Sequence, residues 1–79
     1  MTKIDFKQWH IQDIKNYQEI MPSVWRVPDL EIAIENLEHC NYYYIEPLAK
    51  YLRRLWFKQG LIEKADVRRT YWRFTEKSK

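Results

Sequence analysis

The sequence predicts an α+β fold, three helices followed by a C-terminal two-stranded β-hairpin, in one domain spanning residues 1–79. Three observations carry this. Apolar residues recur at helical spacing in three separate segments. The lone glycine of the chain, Gly60, stands at the end of the third. Beyond it, "LIEKA" and "TYWRF" are β-prone runs joined by the charged "DVRR". A chain of 79 residues is too short for two ordinary cores, because a domain this small buries only about 60% of the surface its unfolded chain exposes. Aromatic residues make up 16% of it, including four Trp and six Tyr, so a small core can still bury large apolar surfaces.

The first helix is expected to open at Asp5, with Gln8 at the return position of a capping box and Ile4 stapling onto Trp9. Phe6, Trp9, Ile14, Tyr17, Ile20 and Met21 then form one apolar stripe, and Asp13, inside it, needs a donor or a place at the rim. Pro22 ends the helix, and Pro28 restricts Val27 to extended backbone, so "PSVWRVP" reads as a connector anchored by Trp25. The second helix runs from Pro28 or Asp29 to Cys40, with Leu30, Ala33, Ile34, Leu37 and Cys40 on one side. Asp29 and Glu31 suit the positive end of its dipole.

"NYYY" at 41–44 reads as a turn or a short bridge, and the third helix as Ile45 to Gln59, with Pro47 in its first turn. Ile45, Leu48, Ala49, Leu52, Leu55 and Trp56 share one face; Glu46, Lys50, Arg53, Arg54 and Phe57 lie opposite, with Lys58 at the edge. Gly60 supplies the left-handed conformation that ends a helix. In the last strand, Trp72 and Phe74 point one way and Tyr71 and Arg73 the other. Glu76 to Lys79 are read as a frayed tail.

Net charge is +3, but its distribution says more. Residues 1–28 carry four bases and three acids; residues 29–46 carry five acids and no base; residues 47–79 carry ten bases and three acids. The chain is thus acidic in its second helix and basic after Pro47. The single cysteine, Cys40, fits a reducing compartment, with the cytoplasm as the default expectation. No apolar run approaches the roughly 20 residues needed to cross a bilayer, so no membrane partner is expected.

Tyr51 to Thr75, "YLRRLWFKQGLIEKADVRRTYWRFT", resembles the end of the recognition helix, the turn and the two wing strands of the winged helix-turn-helix superfamily. The resemblance covers the last third of the chain and, loosely, the helical order before it. It implies a third helix in the major groove of double-stranded DNA and a wing on adjacent backbone. On that pattern Lys50, Arg53 and Arg54 are the helix contacts, and Arg68, Arg69 and Arg73 the wing contacts; Lys58, at the edge of the basic face, and Tyr71, beside Arg73 on the outer face of the last strand, complete the expected DNA-binding set. Six phosphate contacts would give a log–log salt slope of roughly −5. The function expected is a small sequence-specific regulator or accessory factor, acting as a homodimer, and a bare domain of this size suits a phage, virus or plasmid.

The same charges also fit a solvated face or a protein-binding one. An acidic second helix would be repelled by phosphates if it faced them, unless it points away or pairs with bases on another copy or protein. The alternative is therefore an interaction or inhibitor module that binds no nucleic acid, with Glu31, Glu35, Glu38 and Phe57 as its contacts through helix 29–40. Phe57 also fits a place between the third helix and the hairpin. Stacking of Tyr42, Tyr43, Tyr44, Tyr71, Trp72 and Phe74 on unpaired bases is a weaker third reading, with burial of Trp72 and Phe74 set against it. No Cys or His pair has metal-ligand spacing and no Gly-rich phosphate loop exists, so no metal, cofactor or catalytic residue is assigned and a non-enzyme is expected.

Overall fold

The computed structural model describes residues 5–66, 68 and 70–78. It is an α+β arrangement of three α-helices and a three-stranded antiparallel sheet. In chain order these are a 3-10 turn at Phe6–Gln8, α1 (Ile14–Ile20), β1 (Val24–Trp25), α2 (Val27–Glu38), α3 (Tyr42–Lys58), β2 (Ile62–Lys64), β3 (Trp72–Phe74) and a 3-10 turn at Glu76–Ser78. The sheet order is β1-β3-β2, so the last strand is central.

The expected first helix is two pieces. Both acids along it act as caps: the Asp5 carboxylate accepts from the Lys7 N–H at 3.1 Å and that of Asp13 from the Lys15 N–H at 2.9 Å. Asp13 and Trp9 are extended, so the chain leaves helical geometry after Gln8 and restarts at Ile14. A side chain that caps a new helix competes with continuation of the old one. Phe6, Tyr17 and Met21 are buried as expected, whereas Ile20 is 48% exposed. The staple assigned to Ile4 lies outside the described residues.

Val27 is not extended but opens α2, because Pro28 in a first turn forfeits no helical hydrogen bond and the Asp29 carboxylate accepts from the Arg26 N–H at 2.9 Å. The connector before it is a strand. Val24 pairs with Arg73 and Trp25 with Trp72, which adds a third strand to the expected hairpin. α2 ends two residues early at His39, a non-glycine residue in left-handed backbone (φ 54°). Gly there removes the Cβ clash at some entropic cost, so His39→Gly is expected to raise stability by up to about 1 kcal/mol, read as a thermal midpoint some 4–8 °C higher; an unchanged or lower midpoint would contradict this.

α3 begins three residues earlier than the spacing suggests. Asn41 is its cap, accepting from the Tyr43 N–H at 3.0 Å, so the tyrosines form the first turn and Pro47 sits inside the helix. The carbonyl that Pro47 leaves unpartnered in the helical ladder is that of Tyr43, an 80% exposed residue. The buried face is Ile45, Leu48, Ala49, Leu52 and Trp56, with Leu55 half-buried. Gly60 ends the run at φ 76°.

The hairpin pairs Ile62 with Phe74, Glu63 with Arg73 and Lys64 with Trp72. One core joins all elements, centred on Tyr17, Trp25, Leu30, Ile34 and Leu48, each fully buried. Trp72 and Trp25 stack at 6.5 Å, and Trp56 meets Tyr17 edge-on at 5.2 Å. Of the expected frayed tail, Glu76–Ser78 form a 3-10 turn instead, and Lys79 lies outside the described residues. Ser78 is buried, accepts from Gln18 Nε2 at 2.7 Å, and donates to the Thr75 carbonyl at 2.7 Å, which fastens the C-terminal turn to α1. Among the described residues, no helix is long and apolar enough to cross a membrane.

Candidate nucleic-acid interface

The outward face of α3 and the hairpin carry most of the basic residues singled out above, but the fold does not leave them equivalent. Arg53 is half-buried, its guanidinium 5.4 Å from the centre of the Trp72 ring. That contact uses its charge to hold β3 against α3. Phe57, one turn on, meets the same indole edge-on at 5.4 Å and lies under the Lys64 ammonium at 5.5 Å. Of the two places the sequence allows it, Phe57 takes the one between helix and hairpin, although it remains 48% exposed.

Lys50 pairs with Glu46 at 3.2 Å, one turn earlier on the same exposed face. Arg73 pairs with Glu63 at 2.7 Å directly across the β2–β3 ladder. Both pairs are well exposed and worth little, of order 0.3–1 kcal/mol, so phosphate could displace them cheaply. Arg54 and Lys58 are exposed along one side of α3, flanking a groove of about 450 Å³ with Pro47, Tyr51 and Leu55 on its walls. Arg68 is exposed in the loop between β2 and β3. No intramolecular partner is seen for these three among the described residues. Arg69 lies outside the described residues.

The hairpin loop is braced from within. The Asp66 carboxylate accepts from the Thr70 N–H at 3.1 Å, the Tyr71 N–H at 3.2 Å and the Thr70 hydroxyl at 3.1 Å. The Ala65 N–H donates to the Tyr71 carbonyl at 2.8 Å, closing the same loop. Tyr71, 40% exposed, is covered by the Arg26 guanidinium 5.6 Å from its ring centre. Arg26 was not among the residues picked from the sequence; reading Val24–Trp25 as a strand beside β3 would have placed it there.

The acidic residues divide too. Glu38 belongs to the fold: its carboxylate accepts from the Gln12 N–H at 3.0 Å and from the hydroxyl of buried Tyr17. Burial, then the hydrogen bond and charge of Glu38, push the Tyr17 phenol well above its ordinary range. Glu38 is therefore withdrawn from the set of free acidic contacts by a partner 21 residues away in the chain, which no local pattern indicates. Glu35 is exposed, and Glu31 is half-buried at a cleft between α2 and the start of α3. Among the described residues, no group of three or more His, Cys, Asp or Glu side chains is placed to hold a metal ion.

No family model, curated protein or solved structure matches this chain.

Proposed function

We propose that this domain binds double-stranded DNA in the manner of a winged helix, with α3 toward the major groove and the β2–β3 hairpin on adjacent backbone, and that it acts by occupancy as a small regulator or accessory factor. The observation that carries the reading is the set of uncommitted, exposed cations Arg54, Lys58 and Arg68. Lys50 and Arg73 are paired with Glu46 and Glu63 and are not counted among the contacts. Arg53 is a positioning residue in this reading, since it packs on Trp72. The acid that most opposes DNA, Glu46, sits next to Lys50 and is neutralised by it.

Three phosphate contacts give a log–log salt slope near −2.7, shallower than the slope for six. Titration of random and pooled-sequence duplex at two salt concentrations tests this. Each of Arg54→Ala, Lys58→Ala and Arg68→Ala is expected to weaken binding to every duplex and to reduce the slope by about 1. All three side chains are exposed, so the melting curve is expected to stay within experimental error of the parent. Absence of duplex binding at low salt, or a slope unchanged in the triple variant, would overturn the proposal.

A further inference from the structure

We propose that the cleft at the α2–α3 junction is a second binding surface, which receives an arginine-bearing segment of a partner protein. The cleft, of about 510 Å³, is lined by Glu31 from α2 and by Tyr42, Tyr43, Glu46, Pro47 and Lys50 from α3. Its chemistry is opposite in sign to the rest of α3. Glu31 has no intramolecular partner among the described residues, and Glu46 has only an exposed pair with Lys50 at 3.2 Å, the kind most readily exchanged.

The two tyrosines give the cleft a second handle. Tyr42 and Tyr43 are 82% and 80% exposed, the largest exposures of any big apolar side chain described, and their rings meet edge-on at 6.2 Å. Neither ring joins the core. Two carboxylates beside two accessible ring faces match a guanidinium, which donates two parallel N–H bonds to a carboxylate and stacks on an aromatic face; a lysine ammonium meets the carboxylate only as a point charge. Phosphate is disfavoured at the same place by the carboxylates. The positive end of the α3 dipole, roughly half an elementary charge confined to the first turn, opposes a cation but is outweighed by the net charge of −1 that Glu31, Glu46 and Lys50 leave in the lining.

Charge complementarity selects the occupant. The lining sets the two carboxylates of Glu31 and Glu46 against the one ammonium of Lys50, a net charge of −1, so the cleft repels acidic segments and attracts basic ones. A second copy of this chain would have to bring Arg54, Lys58 or Arg68, the same cations the DNA reading needs, whereas a separate partner leaves them available. The two surfaces are thus compatible on one molecule, and the inference stands whether or not α3 meets DNA.

The test is a titration of isotope-labelled full chain, without DNA, with an end-blocked tetra-arginine peptide, and with tetra-lysine for comparison. The expected result is saturable amide shifts at Glu31, Tyr42, Tyr43 and Glu46, a dissociation constant of order 0.1–1 mM, and weaker binding of tetra-lysine. Glu31→Gln with Glu46→Gln, and separately Tyr42→Ala with Tyr43→Ala, are each expected to weaken the arginine peptide at least tenfold; Glu19→Gln, on exposed α1 surface, is expected to leave it unchanged. Melting curves of the variants verify that they remain folded. Shifts spread over all exposed acids, no loss in either double variant, or cleft shifts that appear with protein concentration alone, which would make the occupant a second copy, would each overturn the proposal.

Discussion

Trp72→Ala is expected to leave the chain largely unfolded at 37 °C. Truncating a buried tryptophan costs about 3–5 kcal/mol, through lost transfer energy and the cavity that remains. A chain of 79 residues has a total stability of only about 4–12 kcal/mol. Trp72 is 4% exposed, stands in the central strand, stacks on Trp25, and carries both Phe57 and Arg53 of α3 on its other contacts. Its loss therefore unties the sheet from the helix as well as opening a hole.

Trp25→Phe provides the contrast. Trp25 is fully buried, yet its indole N–H finds no acceptor among the described residues. An unmet buried donor costs about 1–3 kcal/mol, so removing it offsets much of the lost ring volume. Urea unfolding followed by circular dichroism is expected to show a small change for Trp25→Phe and loss of the folded baseline for Trp72→Ala. A stable, cooperative Trp72→Ala variant would mean that α3 and the sheet are held together elsewhere.

That contrast also shows what local pattern reveals and what it hides. The buried face of α3 and the turn at Gly60 were legible because each depends on residues within a turn or two of one another. The hairpin was legible for the same reason, its strands being joined by a short loop. β1 was not, since a strand of two residues has no period of its own and exists only by pairing with Arg73 and Trp72 far along the chain. The break in the first helix was hidden because an aspartate inside an apolar stripe looks the same whether it lies at a rim or caps a restart. The start of α3 was hidden because tyrosines are indifferent helix formers, so the cap at Asn41 decides.

The candidate interface was legible as a charge pattern and illegible as an inventory. Spacing alone places Lys50, Arg53, Arg54 and Lys58 on one broad face. Register then diverts Arg53 to Trp72 and Arg73 to Glu63, and helical neighbours divert Lys50 to Glu46. If the domain binds DNA as proposed, a titration reads the remainder, and for that reason the expected salt slope is shallower than a count of bases suggests.

Tyr17→Phe is expected to cost about 1.5–3 kcal/mol at neutral pH, the range for a hydrogen bond to a charged acceptor. The Tyr17 hydroxyl donates to Glu38, joining α1 to the end of α2, and the Gln12 N–H donates to the same carboxylate. Phe keeps the ring and its edge contact with Trp56 at 5.2 Å, so the measured loss reports the hydroxyl and not a cavity. Glu38→Gln retains an acceptor oxygen and is expected to cost less than Glu38→Leu, which leaves the phenol O–H and the Gln12 N–H both unmet.

The pH dependence separates this bond from simple packing. In the unfolded chain a tyrosine ionises near pH 10. In the folded chain the Tyr17 phenol is held higher, first by burial and then by Glu38, so it keeps its proton where the unfolded chain has lost it. A folded-state value above the unfolded one gives stability that is complete below about pH 10 and is lost as pH rises beyond it. Urea midpoints converted to free energy are therefore expected to show the gap between the parent and Tyr17→Phe closing by up to about 1.4 kcal/mol per pH unit above 10. The half-buried Cys40 thiol, also pushed up by desolvation, gives a loss of the same sign at somewhat lower pH, but it is present in both proteins and cancels in the difference. A gap that stayed constant from pH 7 to 11 would show that the folded chain does not hold the Tyr17 phenol above its unfolded value.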